Sequence, residues 1–138
     1  FEPSKTQELI LMVGYPGSGK STFVKQQIPD NYVKLSGDLL KTPSKTKKAV
    51  KQGLDEGKSV VLDATNSSVK KRALFIEIAK DRNVPVRAIH ITTCFEQSKY
   101  QNSLRDNKVP MMALYIYRKH FEEPTNEEGL VEIYKPFI

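Results

Sequence analysis

One short stretch of the sequence carries residues suited to binding phosphate. The run Gly14-Tyr15-Pro16-Gly17-Ser18-Gly19-Lys20-Ser21 fits the spacing G-x-x-x-x-G-K-[ST] at every fixed position. Glycines let the backbone curl so that several N–H groups point at one phosphate group. Lys20 offers a cation to the β- and γ-phosphates, and the Ser21 hydroxyl can bind Mg²⁺. The stretch predicts a nucleotide site made of Gly17, Ser18, Gly19, Lys20, Ser21 and Thr22.

Two aspartates follow apolar runs at positions where a phosphoryl transfer would need a carboxylate. Asp38 comes shortly after Tyr32–Leu35, and Asp63 directly follows Ser59–Leu62. In open parallel sheets, ligands lie outside the carboxyl ends of the strands. Asp38 could accept the proton of an attacking hydroxyl, and Asp63 could bind Mg²⁺ or orient Asp38. For each aspartate the alternative is a purely structural role in capping the next turn.

Short apolar runs alternate along the chain with helical patterns, an order typical of parallel sheets covered by helices. The predicted strands are Leu9–Val13, Tyr32–Leu35, Ser59–Leu62, Val84–Ile91 and Val131–Tyr134. The predicted helices are Lys20–Gln27, Pro43 to about Glu56 behind a Thr42 cap, Val69–Asp81 behind Asn66, Ser67 or Ser68, Phe95–Asp106 and Met111–Phe121. The fold class is therefore α/β, with a mostly parallel sheet flanked by helices on both faces.

Length and composition fit a single domain with a core of its own. The chain has 138 residues, of which 38% are hydrophobic. No apolar run reaches the roughly 18 residues that a membrane span needs, so we expect no membrane partner. A single cysteine, Cys94, excludes an internal disulfide framework and favours an intracellular location. Because the chain starts at Phe1, we expect residues 1–8 to be a polar lead-in from a longer chain, outside the core, and 9–138 to be the domain.

The positive charge of the chain is unevenly distributed. The formal net charge is +6, yet residues 1–121 hold 21 of the 22 basic and 11 of the 16 acidic side chains. Between Leu39 and Leu54 there are no acids and five lysines, namely Lys41, Lys45, Lys47, Lys48 and Lys51. Such a run is typical of a solvated helix face, or else of a rim that binds phosphates. Composition leaves both interpretations open.

Three further stretches, taken with the phosphate loop, resemble the kinase domain of eukaryotic polynucleotide kinase/3′-phosphatases. They are Asp63-Ala64-Thr65-Asn66, which matches a D-x-T-N pattern, then Phe95-Glu96-Gln97, and Tyr117-Arg118-Lys119-His120-Phe121-Glu122-Glu123-Pro124-Thr125 with Glu128-Gly129 following. The last of these, called the fingerprint below, is the most distinctive. The resemblance covers about Leu9 to Phe137.

The resemblance implies a P-loop kinase with a helical lid that uses ATP and Mg²⁺ to phosphorylate 5′-hydroxyl ends of DNA, or of RNA, in strand-break repair. It also implies a nuclear location. It implies Asp38 as general base, with Lys20 and Arg105 as the other catalytic residues. Asn102 and Arg105 would belong to the lid helix that closes over the nucleotide. The implied contacts to the substrate strand are Asp38, Thr65, Asn66, Arg72 and Lys41.

The chain departs from the family pattern in three places. Gly37 stands where animal members have an arginine before the catalytic aspartate, and a second family arginine near Ser103 is also missing. The lysines between Lys41 and Lys51 could compensate for these lost phosphate contacts. Full-length members usually carry an N-terminal phosphatase domain with a D-x-D-G-T motif. No such motif occurs here, so we expect kinase activity without 3′-phosphatase activity in this chain.

Two other functions remain open at the level of sequence: a small-molecule P-loop kinase, and a nucleotide-gated nucleic-acid binding module without catalysis. The remaining chemically notable residues favour structural roles. His90 lies in a predicted strand and is expected in the core or at its edge, and Cys94 is expected to be a buried small hydrophobe. The helically spaced Tyr115, Tyr117 and Phe121 are expected in the core rather than on a base-stacking platform.

Overall fold

The centre of the molecule is a five-stranded sheet in which every strand pairing is parallel. The structure, a computed structural model, describes residues 1–106 and 108–136, apart from the side chains of Asp38 and Leu39. Within that part of the chain the strands are β1 Leu9–Val13, β2 Val33–Ser36, β3 Val60–Asp63, β4 Val86–His90 and β5 Glu132–Tyr134. Their order across the sheet is β2-β3-β1-β4-β5. The predicted parallel α/β architecture is confirmed.

β1 lies in the middle of the sheet, and all five of its residues are buried. Leu11 pairs with Leu62 of β3 on one side and with Ala88 of β4 on the other. A strand buried on both faces needs an apolar residue at every position, which explains the unalternated run Leu-Ile-Leu-Met-Val. The loop that leaves β1 therefore starts from the most firmly held point of the sheet.

Six helices connect and cover the strands in the described part of the chain. They are α1 Lys20–Gln27, α2 Gly37–Leu40, α3 Pro43–Asp55, α4 Val69–Lys80, α5 Phe95–Ser103 and α6 Met111–His120. Thr42 caps α3 by accepting a hydrogen bond from the Lys45 amide (3.2 Å), as predicted. Ser68 caps α4 in the same way through the Lys71 amide (3.2 Å). The short α2 and a 3₁₀ turn at Asn126–Glu128 were not predicted.

The side chains of β1 alternate between two apolar clusters, one on each face of the sheet. Leu9, Leu11 and Val13 pack with residues of α3 and α4. Ile10 and Met12 pack on the other face with residues of α1 and the segment that follows it. The prediction of helices on both faces is confirmed. In the described residues no helix has the length and apolar character needed to cross a membrane.

The first residues of the chain take part in this packing. The Phe1 ring lies 6.1 Å from that of Phe23 and 6.3 Å from that of Tyr134, and joins the α1-side cluster. Glu8 is 1% exposed and forms an ion pair with Arg87 at 2.6 Å. The expectation that residues 1–8 lie outside the core is therefore wrong for Phe1 and Glu8, whereas residues 2–6 are exposed. Apolar packing at Phe1 and a buried ion pair at Glu8 hold both ends of the segment.

Candidate functional site

The carboxyl ends of the strands open into a cavity of about 1050 Å³. In parallel sheets this edge is where ligands bind, because loops and helix N-termini converge there. The cavity wall brings together nine of the residues predicted for the site: Gly17, Ser18, Gly19, Lys20, Ser21, Thr22, Asp63, Thr65 and Arg105. Groups predicted from the phosphate loop, the strand ends and the lid therefore share one space.

The phosphate loop runs from the end of β1 to the start of α1 and presses against α5. Gly17 and Gly19 have φ angles of 79° and 104°, a region that side chains other than glycine rarely adopt. A Cβ atom at Gly17 would lie 2.9 Å from the Ser98 carbonyl oxygen and 3.1 Å from Cβ of Asn102. Glycine is therefore required at position 17 both for the backbone conformation and for the close approach of α5.

Two side chains of the loop are buried and polar. Lys20 is 7% exposed, and its ammonium donates hydrogen bonds to the carbonyl oxygens of Gly14 (3.1 Å) and Tyr15 (2.7 Å). Ser18 is 2% exposed, and its Oγ has no hydrogen-bond partner among the described residues. A buried unpaired hydroxyl costs about 1–3 kcal/mol, and that cost is removed when a ligand oxygen pairs with it. The loop thus holds a cation and an unsatisfied donor, a combination that suits phosphate.

Ser21 and Asp63 form the oxygen-rich part of the cavity wall. The Ser21 hydroxyl donates to Oδ2 of Asp63 across 2.5 Å, which links the first turn of α1 to the end of β3. Hydroxyl and carboxylate oxygens are the ligands preferred by hard divalent cations, which often take only one or two ligands from the protein. The described residues contain no cluster of three or more His, Cys, Asp or Glu side chains able to hold a metal ion. A cation at Ser21 and Asp63 would complete its shell with phosphate oxygens and water.

Thr65 and Asn66, which follow the end of β3, have different roles. Thr65 lines the cavity, and its carbonyl oxygen accepts a hydrogen bond from the Gly14 amide (3.3 Å). Asn66 is 4% exposed, and its side-chain amide donates to the Met12 carbonyl at 2.7 Å. The prediction that Asn66 contacts the strand is wrong, because its side chain is used to fix the β3–α4 connection against β1.

Arg72 is fully buried rather than displayed to a substrate. Its guanidinium forms an ion pair with Glu128 at 2.8 Å and donates to the carbonyl oxygens of Asn66 (2.8 Å) and Glu122 (2.9 Å). The predicted contact of Arg72 with the substrate strand is therefore wrong. Arg72 instead ties α4 to the fingerprint and to the 3₁₀ turn after it.

Arg105 lies on the cavity wall and is exposed, but it is not part of a helix. The helix predicted to reach Asp106 ends at Ser103, where the Leu104 and Arg105 amides bond to carbonyls three residues earlier. Such tight bonds are common where an α-helix terminates. The expectation that Arg105 belongs to the lid helix is corrected to a position just after it.

Asn102 lies next to the cavity without lining it. It is 4% exposed, its side-chain amide donates to the Val109 carbonyl (2.9 Å), and its side-chain oxygen accepts from the Val109 amide (3.0 Å). Both polar ends of the side chain are thus used to close the segment that carries Arg105. The structure places Asn102 behind the loop, in contact with Gly17, instead of on the wall of the predicted nucleotide site.

The last two of the predicted site residues are Lys41 and Asp38. Lys41 is exposed at the end of α2 and does not line the cavity. None of Lys45, Lys47, Lys48 and Lys51 lines it either, which favours a solvated helix face for this run. The side chain of Asp38 lies outside the described residues, so its role as general base stays a prediction. Ser36, two residues before it, is on the wall.

Sequence reasoning missed several residues that line the cavity. Ala113, Ile116 and Tyr117 of α6 form an apolar part of the wall, and Lys71 of α4 adds a cation. The spacing of the three α6 residues, i, i+3 and i+4, is a helical signal that could have identified them. Burial raises the pKa of the Tyr117 phenol above its ordinary value of 10.0. Lys71 carries no such signal, because the sequence does not tell which face of α4 is outside.

Three other expectations have mixed outcomes. His90 is 6% exposed in β4, which confirms a core position. Cys94 is exposed, so the prediction of a buried cysteine is wrong: it sits at the start of α5, just beyond the sheet. Tyr117 is buried as expected, whereas Tyr115 is 43% exposed, with its ring 5.4 Å from that of Phe95.

Comparisons with known proteins agree with this geometry. A family described as "AAA domain" matches residues 41–124. The chain is 36% identical over 139 residues to the bifunctional polynucleotide phosphatase/kinase of Schizosaccharomyces pombe. It is 42% identical over 142 residues to a protein of Acanthamoeba polyphaga mimivirus provisionally given the same name. Each alignment covers 96% of this chain and 34% of the relative, so the chain spans about a third of the relatives' length.

A solved gluconokinase from Sinorhizobium meliloti has the same fold. It superimposes with a TM-score of 0.68 at 16% identity, over 96% of this chain and 83% of that one. At that identity the likeness concerns the fold alone. The relatives confirm the resemblance given by the fingerprint. From the phosphate loop, the parallel sheet and the match over residues 41–124, the chain belongs to the AAA domain family and has a P-loop kinase fold.

Proposed function

We propose that this chain transfers the γ-phosphate of ATP to the 5′-hydroxyl end of a DNA or RNA strand. The observation that carries the proposal is the shared cavity, in which the phosphate loop, the Ser21–Asp63 pair and Arg105 face one space. The identity of 36–42% to proteins named polynucleotide phosphatase/kinase, over nearly the whole chain, supports the choice of acceptor.

The nucleotide side of the site consists of the phosphate loop and the start of α1. Backbone N–H groups of the loop and the positive end of α1 attract the phosphates of ATP. The Lys20 ammonium, held by the carbonyls of Gly14 and Tyr15, is placed to turn towards the β- and γ-phosphates. Ser18 Oγ offers a donor that is otherwise unpaired among the described residues.

The Ser21–Asp63 pair fits a Mg²⁺ ion, since both residues supply oxygen donors on the cavity wall. When bound there, Mg²⁺ neutralises negative charge on the β- and γ-phosphate oxygens. The protein itself holds the two donors in register by linking α1 to β3. We expect Asp63 to keep this orientation because β3 is paired on both sides, with β2 and with β1.

The acceptor hydroxyl enters from the side where β2 and β3 end. We propose that Asp38, which follows β2, takes the proton of the 5′-hydroxyl while its oxygen attacks the γ-phosphorus. The oxygen–phosphorus bond to ADP breaks on the opposite side of the transferring group. Arg105, on the cavity wall, stabilises the charge spread over its equatorial oxygens, as an arginine finger does.

Transfer of labelled γ-phosphate tests the proposal. Purified chain is incubated with Mg²⁺ and labelled ATP, and with DNA or RNA whose 5′ ends are single-stranded, recessed or blunt. Label is expected only on strands with a 5′-hydroxyl, and a matched strand with a 5′-phosphate is the control. Labelling of gluconate or another small alcohol, with none on any strand, would identify a small-molecule kinase instead.

The variant Asp38→Asn tests the base within the same assay. It is expected to abolish transfer, because the amide cannot accept the proton, while ATP binding measured by calorimetry persists. Lys20→Ala is the matched variant on the nucleotide side and should weaken ATP binding as well as transfer. Normal turnover by Asp38→Asn would remove Asp38 from the mechanism.

The names of the relatives suggest the setting in which the activity is used. Both pair a phosphatase with a kinase in a protein about three times as long as this chain. We infer that in the intact protein a phosphatase domain repairs 3′ ends while this domain repairs 5′ ends, in the nucleus. An intact protein that labels 5′ ends but leaves 3′-phosphates untouched would contradict this inference.

A further inference from the structure

Three cationic side chains line the cavity in the described part of the chain: Lys20, Lys71 and Arg105. The first belongs to the phosphate loop and the last follows the end of α5, and the proposed function uses both on ATP. Lys71 lies in the first turn of α4, is exposed, and its ammonium forms no ion pair or hydrogen bond with the described residues. The third cation therefore has no role so far.

The orientation of Lys71 is fixed by its neighbour in the sequence. Arg72 is fully buried, with bonds to Glu128, Glu122 and Asn66, so α4 cannot rotate about its axis. Consecutive helical residues point about 100° apart. With Arg72 pointing into the protein, Lys71 points to the cavity, whereas Lys70 is exposed and does not line it.

Two of the first-turn amides of α4 are already occupied. The Val69 amide donates to Oε1 of Glu122 (3.1 Å), and the Lys71 amide donates to Oγ of Ser68 (3.2 Å). These two N–H groups at the N-terminus of α4 are thus not free to bind an anion. The adjacent Glu122 carboxylate also offsets part of the positive charge of this helix terminus. The attraction for an anion at this wall comes from the Lys71 side chain.

Lys71 lies on the acceptor side of the cavity. It follows the wall residues Asp63, Thr65 and Ser67, which lead from β3 into α4. A strand whose 5′-hydroxyl points at the γ-phosphate carries its first own phosphate one ribose further out. Building on the proposed function, we propose that Lys71 binds this phosphate, on the 3′ side of the terminal nucleoside. Lys71 thereby takes the role expected from the sequence for Arg72 and Lys41, neither of which lines the cavity.

Two variants and two acceptors test this assignment. Lys71→Ala is compared with Lys70→Ala, using a short DNA strand with a 5′-hydroxyl and the same strand with an uncharged methylphosphonate at its first linkage. Lys71→Ala should raise KM for the charged strand about tenfold and make binding less salt-dependent. It should leave KM for ATP unchanged and have little effect on the methylphosphonate strand. Lys70→Ala should match the wild-type chain throughout.

The possible outcomes separate this inference from the proposed function. Equal losses on both strands, a change in KM for ATP, or identical behaviour of Lys71→Ala and Lys70→Ala would each overturn the assignment of Lys71. Failure of the wild-type chain to label any 5′-hydroxyl strand would overturn the proposed function instead. Thermal unfolding of both variants checks that neither substitution disturbs the fold.

Discussion

Arg72 shows how one buried side chain organises a site from which it is itself absent. Its ion pair with Glu128 has exposed fractions of 0% and 6%, and the same guanidinium binds two backbone carbonyls. Removing one partner of a buried pair leaves an uncompensated charge or unpaired donors in the interior. Arg72 therefore fixes the orientation of α4 about its own axis and the position of the fingerprint relative to α4.

We expect Arg72→Met to destabilise the protein by about 3–5 kcal/mol, measured by urea unfolding. Arg82→Met is the matched control, because Arg82 pairs with Asp55 at a similar distance (2.7 Å) but with exposed fractions of 26% and 61%. The free energy of unfolding should fall far less in this control, since exposed ion pairs are screened by water. Equal losses in the two variants would show that burial does not govern the contribution of Arg72.

At the scale of elements, the phosphate loop and the Arg105 segment are joined by α5. Asn102 contacts Gly17 on one side and binds both backbone groups of Val109 on the other. A change in α5 should thus affect both the loop proposed to bind ATP and the residue proposed to stabilise the transferring group. We expect Asn102 to act as a positioning residue for Arg105.

Asn102→Ala should lower kcat about tenfold with a smaller change in KM for ATP, because two hydrogen bonds are lost while the loop itself remains. The same substitution in an Arg105→Ala background should have little further effect if Asn102 acts through Arg105. Ser103→Ala, at the exposed end of the same helix, serves as control. Additive losses in the double variant would argue against the positioning role.

The elements that could be predicted are those with local signals. The bounds of α1 and the cap Thr42 depend on residues within one turn, and the structure confirms them. For α4 the sequence left three candidate caps open, of which the structure selects Ser68. The end of α5 depends on Asn102 binding Val109, and the burial of Arg72 depends on Glu122 and Glu128, far along the chain. A single sequence does not show that residues so far apart are in contact in the fold. The predictions for the end of α5 and for the exposure of Arg72 failed for this reason.

At the scale of the whole molecule, the acidic C-terminal part is used within the fold. Glu122 binds the Val69 amide, Glu128 pairs with Arg72, Glu132 with Arg87 and Glu123 with Lys135. Three of these carboxylates neutralise one basic side chain each. The net charge of +6 therefore rests on the remaining residues, among them the exposed lysines between Lys41 and Lys51.

The buried His90 makes stability depend on pH. Burial lowers its pKa, an effect that Glu123 opposes and that Lys135 and Arg72 reinforce. Below the unfolded pKa of about 6.5, the unfolded chain binds a proton that the folded chain resists. The free energy of unfolding should thus fall as pH drops from 7 to 5, by up to about 1.4 kcal/mol per pH unit from this group.

Urea unfolding at several pH values, compared between the wild-type chain and His90→Gln, measures this contribution. The variant should show a flatter dependence between pH 7 and 5, and His120→Gln, at an exposed position, should keep the wild-type slope. Parallel curves for the wild-type chain and His90→Gln would assign the pH dependence to other groups. The lowered pKa of Glu123, caused mainly by Lys135, acts only in more acidic solutions.

The central position of β1 has a consequence for how the chain is made. β1 is synthesised before the other four strands of this sheet, yet Leu9 pairs with Val60 and Val86, which are synthesised much later. Until then an entirely apolar strand has two unpaired edges, the state in which nascent chains aggregate. We expect the yield of folded protein in cells to improve when chaperones that shield nascent apolar segments are abundant, and to fall when translation is slowed between β1 and β4.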